Sequence, residues 1–486
     1  MDNRTVCEEI DDYGQSAVAP VLGANAVTVA PPSIKNMVYI VEDAIADAHD
    51  IGACGAEAVA VDFTAGIRRL VAEVQSVVKD RRKTYVIVGR NHATNCRLEY
   101  TLRRAGFGNC YALNLFSRSG DAFGDIVKSV DSREALMPYV LKDRSALAHL
   151  PILDFEIEMN RNQPPVSSGY AQLDRYLGGG LYPWMYTVGA TTSIGKTAFL
   201  LQMADQIAMG GHDVLYFTLE MSETEMMSRS ISRLTYLECR EQELDESAGK
   251  TNLGILDGGR YGSYTPDEME IIRDARERYK RFAEHLFFIE GNGNMGVAEI
   301  RDIVEEYMSV LHTHPVVIID YLQLLAPYSE RMSDKQNVDK NIDELKLMSR
   351  DLRIPLFLIS SYNRGSYQKD ADESAYKESG KIEYGSDVLI ALQLQGMDTD
   401  GFNPKVAKKA VPRYIEAVVI KSRNGYIGQK VRIEYNPKYH YMREMREDEK
   451  PCLPGTLGFA HETRDNDTDK RYAMRKSARV AVALGR

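Results

Sequence analysis

The chain has 486 residues, of which 44% are hydrophobic and 27% are charged, and its formal net charge is −10. This length predicts two or three domains, and the acidic balance excludes a uniformly basic nucleic-acid coat while leaving room for a locally basic channel. The six scattered cysteines form no Cys-x-x-Cys pair, which argues against a zinc ribbon or a disulfide framework. Without an apolar run of roughly 18 residues or a signal-peptide layout, we expect a cytoplasmic protein with reduced thiols and no membrane partner.

Residues 1–32 are small and polar and end in two prolines, which indicates a flexible N-terminal segment. From residue 33 onward, apolar runs of strand length alternate with helical runs. The strand runs are "MVYIVE", "AEAVAVDF", "KTYVIVGR" and "CYALNLF". This alternation predicts a small, mostly parallel α/β domain over residues 33–131.

Residues 132–165 predict a helical linker that stops at a Pro-Pro pair. A second α/β pattern covers residues 166–445. Its strand runs are "MYTVGA", "DVLYFTLE", "HLFFIE", "PVVIIDYL", "PLFLISS", "DVLIALQL" and "IEAVVIKS". Residues 446–486 are charged and aperiodic, which indicates a disordered tail.

One loop between a strand run and a helix run, "GATTSIGKTAFLLQMADQIA", fits a Walker A phosphate-binding loop. In this pattern successive backbone N–H groups surround phosphates, the lysine neutralises them, and the hydroxyl after it binds Mg²⁺. The sequence therefore predicts a site for a nucleotide and Mg²⁺. The residues of the loop are Ala190, Thr191, Thr192, Ser193, Ile194, Gly195, Lys196 and Thr197.

Two acidic residues at strand ends are candidates for the rest of such a site. Asp320 follows the most apolar run of the region and, at the end of a strand neighbouring the loop's strand, would hold the Mg²⁺ shell. Glu220 ends "LYFTLE", a strand expected to lie beside the strand of the loop, and would act as a base or orient water. The alternatives without a catalytic role are that Asp320 ends a strand by chance and that Glu220 only stabilises a helix N-terminus.

The late segment "VVIKSRNGYIGQKVRIEY" predicts a β-hairpin with Asn424-Gly425 in its turn. Lys421 and Arg423 alternate on one face just before that turn. On these residues alone, a solvated sheet edge explains the two cations.

Together these segments resemble the ATPase domain of DnaB-type replicative helicases. The resemblance covers about residues 166–440 and is carried by "LEMS", "DYLQLL", "ESGKIE" and "KSRNG", which stand in that family's order. It implies a RecA-like P-loop fold, a ring of six copies around single-stranded DNA, ATP with Mg²⁺, and 5′–3′ movement. It also implies that Lys196 and Thr197 bind phosphate and Mg²⁺, that Glu220 is catalytic, and that Asp320 is the Walker B acid.

The same resemblance implies a role for Lys421 and Arg423, which match the family's Lys-x-Arg, donated to the ATP of the neighbouring subunit. An arginine there stabilises charge that develops on the transferred phosphate. One residue departs from the family pattern. Ser361 stands where the family has a glutamine that senses the γ-phosphate, so the departure concerns the coupling of hydrolysis to movement.

DNA would contact loops that face the centre of such a ring. The candidate loops are "PYSERMSDKQNVDKN" and "NRGSYQKDADESAYKE", and their cations are Arg331, Lys335, Arg364 and Lys369. Phosphate contacts of this kind give salt-dependent binding without sequence preference. Because both loops also carry acids, a plain solvated loop stays an alternative for each residue.

Residues 33–131 are similar to a Toprim domain, as found in primase-helicases. Glu42 matches the first acid of that family, whereas Gly89, Arg90 and Asn91 stand where an Asp-x-Asp pair would bind metal. A Mg²⁺ site with a single carboxylate is poorly charged. We therefore expect a degenerate Toprim-like domain without primase activity, used for assembly or docking, with an unrelated α/β domain as the alternative.

The leading hypothesis is an ATP-dependent DNA helicase of the replicative type, encoded by a bacterium, a phage or a mobile element. Its partners would be single-stranded and forked DNA, further copies of itself, and a primase, a loader or other replisome proteins. The alternative is a DNA-dependent ATPase of the RecA, RadA or KaiC kind, which assembles on DNA without unwinding it. A scaffold with little turnover is disfavoured because Lys196, Glu220, Asp320 and Arg423 are all present.

Overall fold

The structure of the chain is a computed structural model. It describes residues 17–18, 27–30, 37–42, 51, 56–61, 67–77, 80–89, 92–114, 127–143, 157, 164–291, 294–361, 380–397, 402–423, 425–446 and 448–449. The predicted tail from residue 450 onward and most of the predicted linker lie outside the described residues. So do Arg90, Asn91, Arg364, Lys369 and Asn424.

The described strands are numbered in chain order. They are β1 Ala17–Val18, β2 Val27–Ala30, β3 Met37–Glu42, β4 Glu57–Val61, β5 Thr84–Gly89, β6 Cys110–Asn114, β7 Met185–Ala190, β8 Val214–Thr218, β9 Leu286–Glu290, β10 Val316–Asp320, β11 Leu356–Ser361, β12 Val388–Leu394, β13 Arg413–Ser422, β14 Lys430–Asn436 and β15 Tyr441–Glu444.

The α-helices with described bounds are numbered in the same way. They are α1 Ile67–Val77, α2 His92–Arg104, α3 Arg133–Asp143, α4 Ala171–Tyr176, α5 Lys196–Met209, α6 Glu223–Glu241, α7 Asn252–Leu256, α8 Pro266–Lys280, α9 Val297–Leu311, α10 Asp334–Leu352, α11 Gly380–Gly385 and α12 Pro404–Lys409.

The N-terminal strands form a sheet in the order β1-β2-β4-β3-β5-β6. The four strands from β3 to β6 are parallel, which confirms the predicted small α/β sheet. The prediction of a flexible segment over residues 1–32 is wrong at Val27–Ala30, because these residues form β2, which pairs antiparallel with β4. The run "VTVA" begins with three β-branched residues, which favour a strand, and composition alone concealed that pattern.

The C-terminal strands form a sheet in the order β15-β14-β13-β12-β7-β11-β10-β8-β9. All seven predicted strand runs of this region are present. The core strands β7, β8, β10 and β12 are buried along their whole length, with one apolar core on each face of the sheet. Strands covered on both faces read as continuous apolar runs, which is why the sequence identified them.

The predictions that the strands ending at Asp320 and Glu220 each lie beside the strand of the Walker A loop are wrong. The strand of the Walker A loop, β7, lies between β12 and β11, so neither β10 nor β8 is next to it. β10 lies beyond β11, and β8 lies beyond β10. Chain order does not decide neighbours in a parallel sheet, because a crossover helix can carry the chain past a strand.

The predicted hairpin is confirmed, but its turn differs from the expectation. β13 and β14 pair antiparallel as far as Val418 opposite Lys430. Backbone bonds from Val419 to Gln429 and from Gly428 to Val419 then close the pairing. The connection is therefore longer than a two-residue turn at positions 424–425, and the end of β13 pairs with β12 alone.

Candidate functional site

The Walker A loop connects the end of β7 to the start of α5. Gly195 immediately precedes α5 and has a φ of 121°, a conformation that glycine adopts without strain. A side chain at Gly195 would approach Met442 and Tyr435 at 2.9 Å. The loop therefore needs glycine both for its backbone conformation and for the close approach of the C-terminal strands.

A cavity of about 520 Å³ lies beside the Walker A loop, at the end of β7. It brings together the loop, both predicted acids and Ser361, together with residues from α6, β13 and the β14–β15 region. Its lining residues are Thr192, Ser193, Gly195, Lys196, Thr197, Ala198, Glu220, Arg229, Asp320, Tyr321, Ile359, Ser361, Arg413, Tyr435, Pro437 and His440.

Lys196 points back onto the loop, where its ammonium donates to the carbonyl oxygen of Ala190 at 3.1 Å. Burial lowers the pKa of Lys196, and the negative charges of Asp320 and Glu220 oppose that lowering. A half-buried ammonium held by a carbonyl can readily bind a phosphate, because an anion supplies the countercharge that the carbonyl lacks.

Asp320 ends β10 and is only 5% exposed. The hydroxyl of Tyr216 donates to its Oδ2 at 3.1 Å. Burial raises the pKa of Asp320, and hydrogen bonds from Thr197 and Tyr216 oppose this rise. The Thr197 hydroxyl and the Asp320 carboxylate are adjacent hard oxygen ligands, and a cation would offset the burial of the carboxylate. These two residues therefore fit Mg²⁺.

Glu220 follows β8 and is exposed at the rim of the cavity. Its negative charge acts on Lys196, Asp320 and Tyr321, so it lies close to all three. The helix-capping role that the alternative assigned to Glu220 belongs to Ser222, which forms a capping box with Glu225 at the start of α6. Glu220 therefore lines the cavity and is not the cap of α6.

Sequence reasoning missed Arg413, at the start of β13. It is 8% exposed, donates to the carbonyl oxygen of Ser193 at 2.7 Å, and lies over the ring of Tyr435 at 5.5 Å. Burial lowers its pKa. A lone arginine opening the apolar run "RYIEAVVI" was the signal that could have identified it.

Two further residues of the cavity were also missed. Arg229, on α6, has a buried Nε without a hydrogen-bond partner. His440 lies between β14 and β15, and burial together with the charges of Arg229 and Arg233 lowers its pKa to about 3. The cavity therefore combines the cations of Lys196, Arg229 and Arg413 with a neutral imidazole, which favours a polyanionic ligand.

A side-chain bridge explains why β15 lies so near the loop. The amide of Gln202, on α5, donates to the carbonyl oxygen of Met442 at 2.6 Å and accepts from its N–H at 2.8 Å. This two-point contact imitates a strand pairing and connects α5 to β15. It brings Tyr435 and His440 to the cavity although both are distant in the chain.

Lys421 and Arg423 are not in the cavity. Lys421 pairs with Leu389 on β12, and the neighbouring Val388 pairs with Tyr186 near the start of β7. The two cations thus lie near the start of β7, whereas the Walker A loop follows the end of β7. The four-residue step from Tyr186 to Ala190 along β7 corresponds to roughly 13 Å. Neither side chain reaches the cavity of its own subunit.

Of the predicted DNA contacts, Arg331 lies in the turn before α10 and Lys335 in the first turn of α10, and both are exposed. The exposed acids Glu330 and Asp334 alternate with them. Nothing in this arrangement favours a DNA contact over a solvated loop for either residue. Arg364 and Lys369 lie outside the described residues.

A family model described as the DnaB-like helicase C terminal domain matches residues 165–444. This chain belongs to that family. The "Replicative DNA helicase DnaB" of Geobacillus stearothermophilus is 27% identical over 297 residues, which are 60% of this chain and 59% of that protein. The chain thus spans about three fifths of the length of that DnaB relative.

Two solved structures share the fold of this DnaB-like chain. One is an isolated ATPase domain that is 21% identical, with a TM-score of 0.50, and the match covers 63% of this chain and all of that one. The other is a DnaB-like replicative helicase, described with its interactions with primase, which is 19% identical, with a TM-score of 0.51 and coverage of 81% and 89%. The C-terminal sheet therefore has the RecA-like fold of DnaB-like helicases.

The N-terminal sheet lies outside the matched DnaB-like region, so its likeness to a Toprim domain stays a prediction. The backbone places Glu42 at the end of β3 and Gly89 at the end of the adjacent β5. In the described part of the chain, no cluster of three or more His, Cys, Asp or Glu side chains could hold a metal ion. None of the helices described there is long and apolar enough to span a membrane.

Proposed function

We propose that this DnaB-like chain is an ATP-driven DNA helicase of the replicative type, working as a ring of six copies around single-stranded DNA. The observation that carries the proposal is the separation of Lys421 and Arg423 from the cavity of their own subunit. A cavity with phosphate, metal and water-orienting groups, but without these two cations, becomes complete when a neighbouring copy supplies them. A ring gives every cavity such a neighbour.

Within one cavity the described residues divide the work. Lys196 and Arg229 bind the phosphates, while Thr197 and Asp320 hold the Mg²⁺ that balances their charge. Glu220 orients and deprotonates the attacking water. The neighbour's Arg423 then stabilises the charge that develops on the transferred phosphate, with Lys421 beside it.

The surface around Arg423 supports contact with a second copy. Tyr384, Tyr426 and Ile427 expose 71%, 70% and 65% of their surfaces there. Several large apolar side chains exposed near one charged group are typical of a protein interface. In the proposed ring they cover the outer side of the neighbour's cavity and exclude water from it.

A second candidate function rests on Ser361. It ends β11 directly opposite Ala190 and lines the cavity, so it occupies the position where a residue would sense the γ-phosphate. A serine is too short to carry the contacts of a glutamine. This observation favours an ATPase that assembles on DNA and is stimulated by it, without unwinding.

For the N-terminal sheet we propose a docking or assembly role. The crevice between β3 and β5, where the chain reverses its strand order, is where such sheets bind ligands. Gly89 contributes no carboxylate there, which leaves Glu42 without the acid pair that metal-dependent primer synthesis needs. A primase supplied by another protein, a loader or another replisome component is the proposed partner, in the cytoplasm of a cell that holds the replicating DNA.

Unwinding of a forked duplex with ATP and Mg²⁺ tests the proposal, with Lys196→Ala beside the natural chain. The matched control is Lys280→Ala, which removes an exposed lysine paired with Glu277 far from the cavity. We expect strand separation in the natural chain and the control, and none in Lys196→Ala. Hydrolysis stimulated by single-stranded DNA without separation would support the second candidate instead. Forks that carry only a 5′ or only a 3′ tail test the expected 5′–3′ direction.

A further inference from the structure

Asp387, the residue before β12, joins three parts of the C-terminal sheet. Its side chain is 10% exposed. Its Oδ2 accepts a hydrogen bond from the main-chain N–H of Met185 at 2.9 Å and pairs with Lys346 of α10. Its Oδ1 lies 3.4 Å from Nε of Arg423. One buried carboxylate therefore contacts the start of the Walker A strand, a helix and the half-exposed arginine.

The residues before Asp387 bind Lys421 and Arg423 through their carbonyl oxygens. We call residues 383–387 the latch segment. Lys421 donates to the carbonyl oxygens of Glu383 and Ser386, and Arg423 donates from Nη2 to that of Tyr384 at 3.0 Å. The latch segment thus holds both side chains that the proposed function assigns to the neighbour's ATP.

The latch segment is itself fixed to β7. The hydroxyls of Ser386 and Thr187 lie 2.7 Å apart. The main-chain N–H of Asp387 donates to the carbonyl oxygen of Met185 at 2.9 Å, in addition to the side-chain bond that Asp387 accepts from Met185. The far end of β7 carries the Walker A loop. The chain's own phosphate loop and its Lys421 and Arg423 therefore lie at the two ends of one buried strand.

An exposed arginine loses rotamer freedom when it is held in one geometry, and the fixed geometry must come from the protein. Arg423 is held at Nε by a buried carboxylate and at Nη2 by a carbonyl oxygen. Because the guanidinium is planar, these two contacts fix its plane. We propose that Asp387 is a positioning residue that sets the orientation in which Arg423 is offered to the neighbouring subunit. The inference rests on the proposed function, in which Arg423 acts in the neighbour's cavity.

The first test compares Asp387→Asn with Arg423→Ala and the natural full-length chain in DNA-stimulated ATP hydrolysis. Asparagine keeps an acceptor for Met185 but loses the charge that holds Arg423. We expect kcat to fall about tenfold or more with KM for ATP within about twofold, since the lost charge acts on Arg423 and Lys346 and leaves the lining of the subunit's own cavity unchanged. The matched control is Asp343→Asn, which removes an exposed ion pair with Lys381 next to the latch segment and should leave kcat unchanged.

The second test mixes subunits. Lys196→Ala subunits cannot hydrolyse ATP but offer an intact Arg423, whereas Asp387→Asn subunits keep an intact phosphate loop. We expect mixed rings to hydrolyse several times faster, per Asp387→Asn subunit, than Asp387→Asn alone. An Arg423→Ala and Lys196→Ala mixture should show the same rescue.

The outcomes distinguish the inference about Asp387 from the proposed donation of Arg423 between subunits. Rescue of Arg423→Ala without rescue of Asp387→Asn would overturn the inference, because Asp387 would then act on its own subunit's strand through Met185. Full kcat in Arg423→Ala alone, or no rescue of Arg423→Ala, would overturn donation between subunits. A rise in KM with unchanged kcat for Asp387→Asn would also contradict a positioning role.

Discussion

Arg413 and Ser193 lie 220 positions apart in the chain and are joined by a hydrogen bond of 2.7 Å from the arginine Nη1 to the serine carbonyl oxygen. Ser193 has a φ of 63°, which a residue other than glycine adopts when its surroundings hold it there. The contact therefore shapes the Walker A loop from β13, on the antiparallel side of the sheet. The cavity beside the Walker A loop is therefore built by strands from both ends of the DnaB-like domain.

Replacing Arg413 with methionine should weaken nucleotide binding. A hydrogen bond from a charged group contributes about 1.5–3 kcal/mol, so we expect the Kd for ATP to rise roughly tenfold or more. Titration of a fluorescent ATP analogue measures the change. Arg432→Met, on the next strand but outside the cavity, is the control, and an unchanged Kd in Arg413→Met would remove Arg413 from the site.

Replacing Gly195 with alanine should disrupt the loop. The new Cβ would meet Met442 and Tyr435 at 2.9 Å in a backbone conformation with a φ of 121°. We expect a loss of roughly 2–3 kcal/mol in the free energy of unfolding and a loss of ATP binding. Gly211→Ala separates the two causes, because Gly211 also has a positive φ but nothing within 4 Å of its Cβ position. Urea unfolding should give Gly211→Ala the smaller loss, and equal losses would contradict the close contact.

Replacing Tyr216 with phenylalanine should shift the pH dependence of hydrolysis. The Tyr216 hydroxyl stabilises the charged form of Asp320 and so opposes the rise in the pKa of that carboxyl caused by burial. Without this donor the pKa rises further, and less Asp320 is ionised at a given acidic pH. We expect the acid limb of the kcat/KM profile to move to higher pH at fixed Mg²⁺. Tyr279→Phe, which changes another buried tyrosine, is the control and should leave the profile unchanged. If the acid limb does not move in Tyr216→Phe, the Tyr216 hydroxyl does not stabilise the charged form of Asp320.

His440 should make the stability of the domain depend on pH. The unfolded chain binds a proton at this imidazole below about pH 6.5, whereas the folded chain binds it only below about pH 3. Stability from this group is therefore complete above about pH 6.5 and declines as the pH falls from there towards about 3. Lowering the pH from about 7 to about 5 should cost the natural chain about 2 kcal/mol more than His440→Asn.

Asparagine suits that position because it tolerates the positive φ of His440, which is 53°. Urea unfolding at both pH values measures the difference, and the other titrating groups affect both variants alike. Parallel pH dependence in the two chains would show that the imidazole is not held neutral by burial and by the charges of Arg229 and Arg233.

Much of the fold could be predicted from local patterns. Apolar runs such as those ending at Ala190 and Asp320 identified every core strand of the DnaB-like domain, because strands buried on both faces are apolar throughout. The loop from Ala190 to Thr197 was recognisable because its glycine, lysine and threonine act within eight consecutive residues. The order of the strands was not predictable, since it depends on which strand each crossover passes.

The candidate site divides in the same way. The sequence by itself predicted the Walker A loop, its threonine and the two acids, because each belongs to a short motif at the end of one strand. Only the tertiary structure decided that Arg413, Arg229 and His440 line the cavity beside the Walker A loop. It also decided that Ser361 is opposite Ala190, and that Lys421 and Arg423 lie near the other end of β7 from that loop. The reason is that strand order and register bring together side chains more than a hundred positions apart, and no local pattern of residues encodes such a contact.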